Sequence, residues 1–302
     1  MLGSANPAVG GGLPAPEKGG EPRVVVATYK YPNIDRRAAV TPLAELVESV
    51  TKRRAEIRVA ESPTELADWV ITGEADFAVP NLVAYLAIKA ASKSVIDLAV
   101  PVAEVPGSDA DDAYTSSIIV PHASPLESVA DIEESRTPLE AVMVWPDSAS
   151  GALVAGAHLR QELKDAFERL GRRYAGSHQN VLEETANGPG RVGVLATKVY
   201  LDALAEADRT GASRPAVREI WRSGPIPFGP LVCTASMAAK CLQLREYLLK
   251  TSDESRRILA GLQGGWPEFA GASGFEIAES TQYDALIEIY ASNKQTADKD
   301  MP

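Results

Sequence analysis

Cysteine is nearly absent from this 302-residue sequence: there are two, Cys233 and Cys241. Two are too few for a disulfide framework, and with no neighbouring His or Cys they make no zinc pattern. Both are expected in or beside buried elements, and the sequence leaves their pairing open. Aromatic residues are also scarce, at 6% against 45% hydrophobic residues in all, so the cores must be built mostly from Ala, Val and Leu. No stretch approaches the ~20 apolar residues that a membrane-spanning helix needs. Basic residues are outnumbered, 30 against 41 acidic, for a formal net charge of −11. Such a surface repels polyanions at long range and argues against nucleic acid or anionic membranes as partners. It does not exclude a small anion, because local dipoles in a pocket matter more to it than net charge.

The motifs of common chemistries are missing too. There is no Gly-x-Ser-x-Gly elbow, no His-Glu-x-x-His and no phosphate-binding loop ending in Gly-Lys-Ser/Thr. The three histidines, His122, His158 and His178, show no metal spacing, so neither a metal nor a cofactor is expected. His158, within a helix, is expected to face solvent. The run Gly188-Pro-Gly-Arg-Val-Gly193 precedes a strand instead of following one, which rules it out as a dinucleotide fingerprint. Residues 1–22, rich in Gly, Pro and Ala, have neither a basic segment nor an apolar core and read as a disordered leader, not a secretory signal.

What remains is a regular alternation of short apolar runs and amphipathic stretches. Strands are expected at Arg23–Thr28, Glu56–Ala60, Asp76–Val79 and Val95–Val102, with helices at Ala38–Lys52, from Ser62 to Gly73, and at Asn81–Ser92. Ser62-Pro63-Thr64-Glu65 has the cap, the first-turn Pro and the Glu of a helix start. Residues 103–113 break the rhythm with Pro, Gly, Ser and Asp and read as a connector. A second set of strands is expected at Tyr114–Pro121, Ala141–Trp145, Arg191–Leu195, Arg218–Trp221 and Pro230–Thr234. Its helices are expected around Leu126–Ile132, in one long run from Gly151 to Gly171, after Ser177, and at Lys198–Ala207; the remainder is expected to be helical. The pattern predicts an α/β protein of two lobes, each a mainly parallel sheet flanked by helices. The first lobe is expected to take residues 23–105 with 222–302, and the second 106–221.

Two helix starts in the second lobe carry the likeliest chemistry. In Pro146-Asp147-Ser148-Ala149-Ser150-Gly151, small hydroxyl residues follow an apolar strand and open a long helix. Hydroxyl donors together with first-turn N–H groups suit a tetrahedral oxyanion; taken alone, the same residues are an ordinary helix cap. At Gly176-Ser177-His178 a second Ser precedes a helix with an imidazole in its first turn. Both starts are expected to face one cleft.

Four blocks in this order resemble the phosphonate/phosphite-binding proteins of ABC importers, a branch of the type II periplasmic binding proteins. They are Gly73–Tyr85, Tyr114–Val120 with Ser124–Ile132, Pro146–Gly151, and Gly176–His178 with Ser223–Pro227 downstream. The resemblance spans about Val24 to Leu248. It implies a Venus-flytrap fold with two crossover hinges, a small oxyanion (phosphate, phosphite or a phosphonate) held between the lobes, an ABC permease as partner, and a monomer without catalytic activity. Matched residue by residue, it implies that Ser148, Ser150 and His178 hold the phosphoryl oxygens, with Ala149, Ser177 and Arg191 also at the ligand site and Tyr85 and either Tyr29 or Tyr31 reaching in from the first lobe. Ala149 departs from the family's Ser-Thr-Ser loop by losing one hydroxyl. Arg191 stands where the family has an Asp for an ammonium group, so a cationic aminophosphonate is expected to be a poor ligand. The family implies a periplasmic or cell-surface location, whereas a native start at Met1 implies the cytoplasm. A cytoplasmic ligand sensor, or a decarboxylase or hydrolase using His178 as acid or base, are the alternatives on the same scaffold.

Overall fold

The computed structural model describes residues 23–92, 94–102 and 114–299. The leader expected over 1–22 and the connector expected over 103–113 lie outside the described residues.

The first half-lobe alternates as the apolar periods require. Strand β1 (Arg23–Tyr29) leads to helix α1 (Arg36–Thr51), β2 (Arg54–Ala60), α2 (Pro63–Thr72), β3 (Phe77–Ala78), α3 (Leu82–Ala91) and β4 (Val95–Val102). Helix α1 starts where the Asp35 carboxylate accepts the Ala38 N–H at 3.0 Å. It buries a stripe at Val40, Leu43, Val47 and Val50, each side chain contributing roughly 1.5–3 kcal/mol by leaving water. Helix α2 starts as its sequence predicts: the Ser62 hydroxyl accepts the Glu65 N–H, Pro63 opens the first turn, and Gly73 at φ 80° ends it.

The chain then builds a second sheet from β5 (Ser116–Pro121), β6 (Glu140–Met143), β7 (Gly171–Tyr174), β8 (Arg191–Ala196) and β9 (Val217–Arg222). Its helices are α4 (Ala130–Glu134), α5 (Val154–Leu163), α6 (Asp165–Arg169), α7 (His178–Asn187) and α8 (Thr197–Thr210). Residues 223–230 return to the first sheet, adding β10 (Leu231–Thr234), α9 (Ala238–Leu249), α10 (Asp253–Gly265), β11 (Gly274–Glu276) and α11 (Asp284–Lys299).

The first sheet has the order β11-β4-β10-β3-β1-β2 and the second β7-β6-β8-β5-β9. Both are mixed. β1 pairs parallel with β2 and β3, and β6 with β7 and β8. The first strand after each crossing between lobes runs the other way: β5 is antiparallel to β8 and β9, and β10 to β3 and β4. Strand direction depends on where the chain re-enters a sheet, which a period-based reading of each strand does not show.

Three expectations change, and the cysteine pairing left open by the sequence is answered. The remainder after β10, expected to be helical, also carries strand β11. The long helix of 151–171 is instead a π-helical turn at Ala149–Leu153, then α5, then a break at Lys164 (φ 45°), then the short α6. Strand β7 follows as an exposed edge strand, and its Arg172 and Arg173 show no apolar period to betray it. His158 stacks on Trp221, ring centroids 4.2 Å apart, instead of facing solvent. The two cysteines, both fully buried, form a disulfide between β10 and α9, with Cα atoms 6.3 Å apart, inside the usual range.

The return segment is tied to the start of β5. Ser116 and Ser223 exchange hydrogen bonds, Ser116 N–H to Ser223 Oγ and Ser223 N–H to Ser116 O, both at 2.9 Å. Ile226 N–H donates to Tyr114 O at 2.7 Å. A Cβ on Gly229 would lie 2.9 Å from the backbone of Asn81 and Leu82, so the segment passes against α3 at a spacing only glycine allows.

Candidate functional site

A cavity of about 1780 Å³ opens between the two sheets. It is lined where strands end: by Tyr29 after β1, Asn81 after β3, Trp145–Ala149 after β6 and Ala196 at the end of β8. The carboxyl ends of parallel strands are where open α/β sheets leave room for ligands, because the following helices begin there with unpaired N–H groups. Asn81 ties the two sides together: its Nδ2 donates to the Asp147 carbonyl at 2.8 Å while its Oδ1 caps Ala84.

On the second-lobe side, the turn after β6 is wound wider than an α-helix. The Leu153 N–H reaches the Ser148 carbonyl at 2.9 Å, and the Val154 N–H bonds to Ala149 O. These five-residue steps make a π-turn, a form frequent at functional sites. The Ser148 hydroxyl accepts the Gly151 N–H at 3.1 Å, which leaves its own proton to donate. A Cβ on Gly151 would lie 2.4 Å from Val144 Cγ2 and 2.7 Å from Ser148 Oγ, so glycine is what lets the turn close against β6. Ser148 and Ala149 line the cavity.

His178 lines it from the start of α7. Its Nδ1 accepts the Ala196 N–H at 3.0 Å, which fixes the tautomer and places the remaining proton on Nε2. Burial lowers its pKa from 6.5 to about 4, so at neutral pH it is an uncharged donor. Ser177 is spent as the cap of α7, accepting the Asn180 N–H at 3.1 Å, and is not among the residues lining the cavity.

Ser150 is fully buried behind the wall. Its hydroxyl accepts from Tyr114 at 3.0 Å, and its carbonyl accepts from the Ser116 hydroxyl at 2.5 Å. Tyr114 takes the place at the cavity that sequence assigned to Ser150; burial raises its phenol pKa well above 10, so it stays a neutral donor.

The first-lobe side is aromatic and charged. Tyr29 and Tyr31 both line the cavity. Beside them stands Arg36, at the start of α1 and only 3% exposed. Its guanidinium carbon sits 3.9 Å from the Tyr29 ring centroid, 4.4 Å from that of Trp266 and 5.0 Å from that of Tyr31. Nε donates to the Gly265 carbonyl at 3.0 Å, but Nη1 is buried without a hydrogen-bond partner, as is Nε1 of Trp266. Cation–π contacts of about 0.5–2 kcal/mol each offset part of the cost of burying this charge. Glu268 also lines the cavity; burial raises its carboxyl pKa, and the Arg36 charge opposes that rise.

Two expected residues are elsewhere. Tyr85 is fully buried on the far side of α3, its hydroxyl bonded to Asp97 Oδ2 at 3.1 Å and its ring against Tyr283. Arg191 opens β8 at the end of the strand away from Ala196, donating to the Glu184 carbonyl and pairing with Glu140 and Glu184 at 3.6 and 3.7 Å. It is not among the residues lining the cavity, so it gives no argument against aminophosphonates.

Arg36, Tyr114 and Glu268 were missed. Arg36 left a signal: at helical spacing it continues the buried stripe Val40–Leu43–Val47, where a charge has no place unless it serves a site.

A family model for the periplasmic substrate-binding protein of phosphonate ABC transporters matches residues 27–283. The chain belongs to that family. No curated protein sequence matches it. Among solved structures, this substrate-binding protein is similar in fold to XAC2383 from Xanthomonas citri bound to ATP, at 18% identity and a TM-score of 0.70 over 92% of this chain and 99% of that one. It is also similar to PhnD1 from Prochlorococcus marinus in complex with methylphosphonate, at 14% identity and TM-score 0.64 over 90% and 98%. A binding protein component of an ABC phosphonate transporter from Pseudomonas aeruginosa gives 18% and 0.60 over 92% and 88%. At such identities the likeness is one of fold: two lobes, two mixed sheets, one cleft.

Proposed function

We propose that this substrate-binding protein captures a small phosphorus oxyanion between its lobes and presents it to an ABC permease. The observation that carries the reading is the uncharged donor cluster at one end of the cleft. Ser148, whose hydroxyl keeps its own proton to donate, and His178, with its neutral Nε2–H, line a single cavity. Dipoles of this kind suit an oxyanion that must later be released, because they attract charge without a permanent ion pair. The first lobe supplies the other half of the grip through Tyr29, Tyr31 and the residues around them, so the closed form is stabilised only when both lobes touch the ligand.

Capture without turnover is the reading that the imidazole supports. A general base works best with a pKa near the operating pH, and His178 at about 4, with Nδ1 already engaged, is a donor instead. The test is isothermal titration of the purified chain with methylphosphonate, phosphite, phosphate and sulfate. At least one phosphorus oxyanion should bind with sulfate weaker; heat from none of them overturns the reading.

A further inference from the structure

The wall opposite the donor cluster holds more charge than one small oxyanion requires. Arg36 cannot shed its proton in a protein, is 3% exposed and stands among three aromatic rings. Its Nη1 and the neighbouring Trp266 Nε1 are two buried donors without a well-formed hydrogen bond, the Tyr29 hydroxyl being the acceptor beside both. Buried donors are nearly always satisfied, and with Tyr29 shared between two donors and Glu268 the neighbouring carboxyl, an anionic acceptor on Arg36 would lower the cost of burying its charge.

An unbroken run of rings joins this corner to the donor cluster. Tyr114, bonded to Ser150, lies 5.7 Å from Phe228; Phe228 lies 5.1 Å from Phe269; and Phe269 lies 6.0 Å from Trp266, which leans on Tyr29 at 6.4 Å. Tyr114, Phe228 and Phe269 of this run line the cavity, so apolar surface extends from the Arg36 corner toward the loop that carries Ser148.

Resting on the proposed function, we infer that the ligand is two-ended: a phosphonate or phosphate head on the second lobe, an apolar spacer along the ring wall, and a second anionic group, such as a carboxylate, on Arg36. Glu268 lines the same cavity and favours an ammonium, so a cationic distal end is the competing outcome.

The test compares ligands of one length by isothermal titration: n-propylphosphonate, 3-phosphonopropionate and 2-aminoethylphosphonate, with methylphosphonate as the minimal head. The inference expects 3-phosphonopropionate to bind at least about tenfold tighter than n-propylphosphonate, the gain of one charge-assisted contact. Arg36→Lys should weaken 3-phosphonopropionate several-fold more than methylphosphonate, because an ammonium cannot reproduce the planar fork. Equal affinity for the propyl and carboxylate ligands, or tighter binding of 2-aminoethylphosphonate, overturns it. If the variant melts early, the wild-type comparison still decides. Binding of methylphosphonate without the carboxylate gain sinks only this inference; binding of no phosphonate sinks the function as well.

Discussion

The two sides of the cleft solve the same problem with different chemistry. The second lobe offers neutral donors: a capped π-turn, a hydroxyl and an imidazole that burial keeps uncharged. The first lobe offers fixed charge and rings: Arg36 among Tyr29, Tyr31 and Trp266, with Glu268 nearby. Dipoles bind an anion loosely enough to let it go, whereas a desolvated guanidinium discriminates by what is attached to it. On the proposed reading, one side serves capture and the other selection.

That division can be broken most forcefully at Gly151. Gly151→Ala puts a methyl group where Val144 and Ser148 Oγ already stand, so the turn must open. A loss of about 1–3 kcal/mol is expected from overpacking, together with loss of oxyanion binding, read by urea melts and titration. Wild-type stability with intact binding would mean that the π-turn does not shape the site.

His178 gives the next largest effect. Unfolded, the imidazole takes a proton near pH 6.5; folded, only near 4. Between those values the unfolded state holds more protons, so stability should fall as pH drops from about 6.5 to about 4 and be level in this respect above 6.5. His178→Asn, whose side-chain oxygen can take the Ala196 N–H, should flatten that part of the curve in melts at stepped pH.

Two smaller changes sharpen which residues lie outside the division. Tyr85→Phe removes the hydroxyl from Asp97 but leaves Lys89 beside that carboxylate at 3.3 Å; about 1 kcal/mol of stability should go and oxyanion affinity should hold. Arg191→Gln breaks partly exposed pairs with Glu140 and Glu184, for roughly 0–1 kcal/mol, again with affinity unchanged. A drop in affinity in either variant would return that residue to the ligand.

Much of the fold was legible because its signals are local. Val95–Val102 reads as a strand and is one, and Ser62-Pro63 to Gly73 starts and stops α2 where cap and left-handed glycine predict. The reversed direction of strands β5 and β10 was not legible, although the strands themselves were, since direction depends on where the chain re-enters a sheet. The edge strands β7 and β11 lack the buried period that a sequence reading needs.

The site divides in the same way. Ser148, Ala149 and His178 announced themselves as helix starts after apolar strands. Ser150 and Ser177 carry the same local signature but are consumed in holding Tyr114 and capping α7. Helix-start sequence identifies donors without saying which of them face the cavity. Tyr85 lies off the cavity with its ring packed on Tyr283, and Arg191 sits at the end of β8 away from it. Glu268 was beyond reach: nothing near Pro267 in the sequence shows that this turn closes the cleft.

The central claim is that the Ser148–His178 wall holds a phosphorus oxyanion. The most direct test is the stability of wild-type and Ser148→Leu protein with methylphosphonate at 100 times the wild-type dissociation constant. Wild type should gain about 2.7 kcal/mol and Ser148→Leu, once shown to be folded, nothing. An equal gain in both, or none in wild type, would contradict the account.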